Sequence, residues 1–303
     1  MCWTCLIMPA ALLASVSGSP VQHGGHRYHV RSHWKVRLAM MQVGQKLRDK
    51  MASGVVLGSF VMEFRTPAVP IVLAHAGMDF FLVDTEHGWY NPETVRAMMD
   101  VGGREGICPI VRVPTTHRSE ITHALDSGAG GLLFPVIRTM DHVREAVEAS
   151  KYAPLGRRGM HMLRPHTNFL PPTDKPAYCA EANASLLTIL QIETVDALGQ
   201  VEAIAATDGV DMLYIGPTDL SADMGHHGGL DHPETMAAAA RIAKACAAAG
   251  KPAGCHVERP DQIAAALEMG FSMIGYAGAL RLLMSGAKTF CDEALETIAA
   301  AGK

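Results

Sequence analysis

The feature that most restricts the fold of this chain is a repeated alternation, in which a short apolar run ends on polar residues and is followed by a segment with helical spacing. The pattern is clearest between Leu186 and Gly225. The run at 186–190 closes on Gln191-Ile192-Glu193, and Met212-Leu213-Tyr214-Ile215 leads into Gly216-Pro217-Thr218-Asp219. Between them, Val195, Leu198, Val201, Ile204 and Ala205 recur at helical intervals across 194–207, so the unit reads strand, helix, strand. A right-handed parallel crossover of this kind brings both strand C-termini to one edge of the sheet. Glu193 and Asp219 are then expected to face each other across one mouth. Two carboxylates so placed form a hard-oxygen site suited to Mg²⁺ or Mn²⁺, which keeps waters and takes further ligands from substrate. The spacing alone leaves open that they are ordinary surface acids.

The alternation continues through most of the chain. After a short amphipathic segment at 43–51, strands are predicted at 55–60, 80–83, 109–113, 131–136, 186–190, 212–215, 252–257 and 272–275. Helices are predicted at 67–77, from Pro92 to 101, at 119–125, at 194–207, at 233–249 and at 261–268, with one capped by Asp141 running to about 150 and an alanine-rich helical C-terminus. Residues 152–178 carry Pro154, Pro165, Pro171, Pro172 and Pro176 and read as a long functional or interfacial loop. About eight strand–helix repeats are the signature of an α/β fold of the (β/α)₈ TIM-barrel class. Residues 45–303 thus read as one barrel domain and 1–44 as an N-terminal extension. Barrel active sites lie at the C-terminal mouth of the strands. Glu86, His87, Arg112, Gln191, Glu193, Asp219 and His256 all fall at predicted strand ends, so a converging site is favoured over scattered surface charge.

Those residue types suit one chemistry. A divalent metal on Glu193 and Asp219 would act as a Lewis acid toward a chelating 2-oxo acid. Arg112 offers a planar cation for a carboxylate or a developing enolate oxygen. His87 is the group at the mouth whose ordinary pKa lies near neutrality, which suits proton transfer. Alone, His87 reads as a structural histidine and Arg112 as an ordinary ion-paired arginine.

Five blocks in order carry a resemblance to a known family: Asp84-Thr85-Glu86-His87-Gly88, Val111-Arg112-Val113-Pro114, Leu125-Asp126-Ser127-Gly128-Ala129, Gln191-Ile192-Glu193-Thr194, and the run from Gly216 to Gly225. Over about residues 45–290 the chain resembles the HpcH/HpaI aldolases. These are metal-dependent class II pyruvate aldolases that include 4-hydroxy-2-oxoheptanedioate and 2-dehydro-3-deoxyglucarate aldolases. The resemblance implies reversible aldol cleavage of a 4-hydroxy-2-oxo acid to pyruvate and an aldehyde. It implies Glu193 and Asp219 as ligands of Mg²⁺ or Mn²⁺, with Co²⁺ a third candidate, Arg112 on the pyruvate enolate, and His87 in proton transfer. The aspartate paired with His87 would be Asp126, reaching in from a neighbouring subunit, with Asp84 the nearby alternative. Gln191, Gly216, Pro217 and Thr218 would line the pyruvate site. A C-terminal helix exchanged between subunits and a homo-oligomer, a hexamer built as a trimer of dimers, are also implied. The chain departs from the family pattern at His256, where an aliphatic residue is usual near the pyruvate methyl, and at Thr218, where alanine is common. Arg157, Arg158, His161, Arg164 and His166 make the expected acceptor side basic and suggest an acceptor with a second carboxylate. The Gly156-Arg157-Arg158-Gly159 segment is similar to macrophomate synthase, which keeps open oxaloacetate decarboxylation with capture of the enolate. Citrate-lyase-like cleavage of a CoA ester shares the fold, but no nucleotide site is identifiable.

The remaining features mainly exclude. Residues 1–44 hold no acidic residue, an apolar stretch at 6–16, a Cys2-Trp3-Thr4-Cys5 spacing, and His23, His26, His29 and His33. A targeting segment is one reading and an incidental extension the other. A net charge of −4 and the lack of a basic stripe argue against nucleic acid, and no apolar run reaches the roughly 18 residues of a membrane span. The seven cysteines are odd in number and scattered, as in a cytoplasmic protein with reduced thiols.

Overall fold

The computed structural model describes residues 22–23, 26–27 and 30–302, with side chains from residue 42 onward. Cys2, Cys5, the apolar stretch at 6–16 and the side chains of His23, His26, His29 and His33 lie outside the described residues. Eight parallel strands close into a barrel: β1 (Val56–Val61), β2 (Phe80–Asp84), β3 (Cys108–Arg112), β4 (Gly131–Phe134), β5 (Leu187–Ile192), β6 (Met212–Ile215), β7 (Ala253–Val257) and β8 (Met273–Gly278). Each pairs with its sequence neighbours, and β8 closes on β1. This is the (β/α)₈ architecture expected from the repeats.

Every residue of β2 to β6 is buried, because one face of each strand packs inward and the other packs on helices. The period of two decides which side chains meet at the axis. Phe80, Leu82, Cys108, Ile110, Leu133, Leu187, Ile189, Met212 and Tyr214 form the inner core. Continuing the same faces upward puts Asp84 after Leu82, Arg112 after Ile110, and Gln191 and Glu193 after Ile189. The apolar layers therefore act as a floor beneath a polar mouth. Helix α1 (Val30–Ser53) inserts Val43, Leu47 and Met51 into that inner core. Since α1 leads into the start of β1, it covers the opposite, N-terminal end of the barrel. An ion-pair knot fixes that end, with Asp211 3.0 Å from Arg48 Nη2 and 2.7 Å from the buried Lys151 Nζ. α1 runs through residue 45, where the sequence places the start of the barrel domain.

The outer helices are α2 (Ala68–His75), α3 (Pro92–Glu105), α4 (Arg118–Asp126), α5 (Met140–Ser150), α6 (Lys175–Ser185), α7 (Val195–Gly199), α8 (Val201–Ala206), α9 (Pro217–Asp223), α10 (Pro233–Ala248), α11 (Pro260–Glu268) and α12 (Ala279–Ala300). Several differ from expectation for identifiable reasons. α5 is capped by Thr139 and not Asp141, because the extended Thr139 hydroxyl accepts from His142 N at 3.3 Å. The single helix expected at 194–207 breaks at Gln200, whose φ of −118° and ψ of 13° are non-helical. The proline-rich stretch hides α6, in which Pro176 occupies the first turn, where a missing N–H costs nothing, and Asp174 caps Ala177 N at 2.9 Å. Pro217 starts α9 in the same way. Beyond Ala279, α12 leaves Leu283, Met284, Phe290, Leu295 and Ile298 exposed. Among the described residues no helix is long and apolar enough to cross a membrane, and Cys108, Cys179, Cys246, Cys255 and Cys291 are unpaired.

Candidate functional site

At the mouth, β2 and β3 are in register with Asp84 beside Arg112. Asp84 is fully buried and receives Arg112 as a fork, Nε to Oδ1 at 2.9 Å and Nη2 to Oδ2 at 2.5 Å. The third guanidinium nitrogen, Nη1, lies 3.2 Å from Glu86 Oε2. Burial opposes the charge on Arg112, but hydrogen bonding and charge from Asp84 outweigh it and raise its pKa. Asp84 Oδ1 also accepts from the backbone N–H groups of Glu86 and His87, at 3.0 and 3.3 Å. Its oxygens thus serve Arg112 and the turn that carries His87. That imidazole is exposed on the loop after β2.

On the facing wall, Glu193 follows β5 and is 4% exposed. Its Oε1 accepts from Val136 N at 2.6 Å, and its Oε2 from Gln191 Nε2 at 2.5 Å. Val136 has a φ of 51°, a strained conformation for a β-branched residue, held where its N–H meets this carboxylate. Gln191 Oε1 is buried without a partner, leaving one free acceptor. Gly216 follows β6 against this pair: a Cβ there would stand 2.6 Å from both Glu193 Oε2 and Gln191 Nε2, so any larger residue has to displace them. Pro217 and Thr218 open α9, and Asp219 sits in its first turn.

Burial pushes the Glu193 carboxyl up to about 7; the Val136 N–H opposes this, while the charges of Asp219 and Glu86 add to it. Glu86 is raised as well, again chiefly by burial, with Arg112 opposing. The mouth thus gathers Asp84, Glu86, Glu193 and Asp219 around a single arginine. This excess of hard oxygen charge fits a divalent cation held by Glu193 and Asp219, with water and substrate completing its shell. The three carboxylates of Glu86, Glu193 and Asp219 do not close into a compact three-ligand cage. Among the described residues, the set of three or more metal-ligating side chains within 4.8 Å of one another is His226, His232 and Glu234.

A cleft of about 580 Å³, open to solvent, borders this cluster and is lined by Phe60, Met62, Arg112, Gln191, Asp219 and His256 among others. His256 points from β7, with Nε2 2.8 Å from Glu258 Oε1 and its ring edge-on to Phe60 at 4.9 Å. Glu258 in turn pairs with Arg281 at the start of α12. That arrangement makes His256 a polar, oriented wall of the cleft. Glu86 is one of the strand-end residues expected at the mouth; Glu258 and Arg281 were not singled out from the sequence, and nothing local marks them.

Asp126 is not brought to this mouth. Outer helices run antiparallel to the strands, so the last residue of α4 lies at the opposite end of the barrel. There it is surrounded by Arg158 Nη2 at 3.8 Å, Arg164 Nε at 4.0 Å and His166 Nδ1 at 3.8 Å. Burial raises the Asp126 pKa against the opposing charges of Arg158 and Arg164, and burial lowers that of His166 to about 3. The basic loop expected on the acceptor side therefore gathers around Asp126 in this chain and does not line the cleft.

The pattern of the family described as HpcH/HpaI aldolase/citrate lyase matches residues 59–277. The chain is 34% identical to the 2-dehydro-3,6-dideoxy-6-sulfogluconate aldolase of Pseudomonas putida over 76% of its own length and 89% of that protein. It is also 34% identical to the 4-hydroxy-2-oxo-heptane-1,7-dioate aldolase of Salmonella dublin, over 72% of its length and 82% of that protein. The crystal structure of an HpcH/HpaI aldolase from Desulfitobacterium hafniense superposes with a TM-score of 0.76 at 29% identity, covering 83% of this chain and 96% of the other. Macrophomate synthase superposes with a TM-score of 0.70 at 29% identity, covering 84% and 90%.

Proposed function

Because the chain belongs to the HpcH/HpaI aldolase/citrate lyase family and is a carbon–carbon lyase, we propose that it cleaves a 4-hydroxy-2-oxo acid reversibly to pyruvate and an aldehyde. The observation that carries this reading is the buried Glu193 facing Asp219 and Glu86, beside the Arg112–Asp84 fork. Glu193 and Asp219 are the metal ligands in this account, and Mg²⁺ or Mn²⁺ matches their donor set better than a softer ion. When bound, the cation supplies Lewis acidity toward the 2-oxo acid.

The chain's own residues do the rest. Arg112 is locked by Asp84 into one orientation, so its positive charge is in place before the enolate oxygen of pyruvate develops, and no reorganisation is needed at that moment. Gln191, Gly216, Pro217 and Thr218 form the wall beside the bound acid. His87, exposed at the rim, takes the proton from the 4-hydroxyl as the carbon–carbon bond breaks and returns it in the synthetic direction. His256 holds a polar position against the substrate's pyruvate half.

Asp126, at the far end of its own barrel, acts on a mouth only by reaching a neighbouring subunit, and Arg158 and His166 would accompany it. The exposed apolar residues of α12 support a homo-oligomer in which this helix is exchanged, and a trimer of dimers is the assembly proposed. Residues 1–44 are assigned to an extension preceding the barrel domain, and the compartment to the cytoplasm. The test is pyruvate release from a panel of 4-hydroxy-2-oxo acids, with oxaloacetate alongside, in added Mg²⁺ or Mn²⁺ and again in EDTA. Metal-dependent release from the hydroxy-oxo acids is expected. Turnover of oxaloacetate alone would transfer the assignment to decarboxylation, and turnover unaffected by EDTA would remove the metal from it.

A further inference from the structure

His226, His232 and Glu234 lie on the connection that leaves α9 and enters α10, and none of them lines the mouth cleft. One ligand atom from each falls within 4.8 Å of the others. The two imidazoles stack, with centroids 3.6 Å apart and planes inclined by 26°. His226 Nε2 stands 3.9 Å from Glu234 Oε2, too far for a hydrogen bond. Both ring nitrogens of His226 are buried, and neither has a hydrogen-bond partner. A buried imidazole with two unsatisfied nitrogens is costly unless something else meets them. His232 Nδ1 makes a long contact of 3.3 Å with Glu234 N at the start of α10. Its Nε2 is the other edge of the ring.

We propose that His226, His232 and Glu234 form a second metal site, for a borderline divalent cation of the Zn²⁺ class, separate from the hard-oxygen site at the mouth. Two imidazoles and one carboxylate are the donor set such ions favour, and Mg²⁺ disfavours nitrogen ligands. Zinc bonds of roughly 2.0–2.2 Å at a tetrahedral angle place two ligand atoms roughly 3.3–3.5 Å apart. The separation of 3.9 Å between His226 Nε2 and Glu234 Oε2 is thus closed by a small rotation of the exposed Glu234 side chain. Coordination through His232 Nε2 moves that ring's proton to Nδ1 and gives up the long contact to Glu234 N. Three protein ligands leave a fourth position for water. The bound cation ties the turn after α9 to the first turn of α10, bracing the segment whose first turn carries Asp219.

The experiment measures Zn²⁺ stoichiometry and affinity by titration calorimetry on the full-length metal-free protein, with excess Mg²⁺ present. Co²⁺ serves as a parallel optical probe, because a four-coordinate site gives intense visible bands and a six-coordinate oxygen site only faint ones. Zn²⁺ is expected to bind in the Glu193→Ala background, where the mouth site is disabled. His226→Ala is expected to abolish that event, weakening it by more than the roughly tenfold to hundredfold loss that follows removal of an outer-shell partner. His232→Asn keeps a side-chain acceptor at the start of α10, so its matching loss of Zn²⁺ separates ligation from folding. If Glu193→Ala takes up no Zn²⁺, or if His226→Ala and His232→Asn bind it as tightly as their parent, the site does not exist. The same holds if Co²⁺ shows only six-coordinate bands in Glu193→Ala.

Discussion

Replacing Glu193 with glutamine is expected to make the metal-free protein more stable above neutral pH while destroying its affinity for metal. Burial and the facing carboxylates hold Glu193 at about 7 against an ordinary 4.5. At 1.36 kcal/mol per unit, that displacement corresponds to about 3 kcal/mol. The folded value lies above the unfolded one, so the native state binds the proton more tightly. This stability is fully present below pH 4.5 and is lost as pH rises through about 7. Glutamine does not titrate, so the variant keeps what the wild type loses. The site also tolerates the amide: one oxygen still accepts from Val136 N, and a flip of Gln191 lets its unpartnered Oε1 receive the new N–H. The assay is urea unfolding in EDTA near pH 5 and pH 8.5, at one fixed protein concentration because oligomer stability depends on it. About 3 kcal/mol moves the urea midpoint by roughly 1 M. Wild type is expected to lose that much between the two pH values relative to Glu193→Gln, and excess Mg²⁺ to reverse their order at pH 8.5. Identical pH slopes for the two proteins would refute the claim that Glu193 is held strained for metal.

Other perturbations probe separate parts of the site. Arg112→Lys loses the fork to Asp84, and turnover is expected to fall by about 10²–10³, in kcat more than in KM, as for removal of one preorganised electrostatic donor. Gly216→Ala puts a methyl group 2.6 Å from Glu193 Oε2; it is expected to cost about 1–3 kcal/mol in denaturant unfolding and to weaken metal binding in the same preparation. Phe290→Asp places a charge on the exposed apolar side of α12 and is expected to lower the assembly's mass by light scattering, with the barrel's circular dichroism unchanged.

The parts of this molecule legible in the sequence are those set by local rules. Alternation of apolar runs with helical spacing revealed the barrel, because β2 to β6 are buried on both faces and read as largely apolar runs. Their place at the C-terminal ends of predicted strands then put Arg112, Gln191 and Glu193 at the mouth. The departures arise where distant contacts decide. Nothing near Val136 in the sequence announces a strained residue whose N–H serves Glu193, since that role depends on a carboxylate 57 positions later. The Arg112 fork on Asp84 depends on β2–β3 register, which the local spacing within each block does not carry. Pro176 reads as a loop signal, yet it lies in the first turn of a helix. His226 and His232 passed unmarked because a turn and a 3₁₀ segment, which carry no periodic signal, bring them together.

The central claim is that Glu193 and Asp219 together hold the metal on which cleavage depends. It is tested most directly by pyruvate release from the 4-hydroxy-2-oxo acid turned over fastest in the panel, by EDTA-treated wild type and Glu193→Ala, each titrated with Mg²⁺ or Mn²⁺ and checked for unchanged oligomeric size. Restoration of wild-type turnover by metal, with none in Glu193→Ala at any metal concentration, is the predicted result. Full turnover by Glu193→Ala would contradict it.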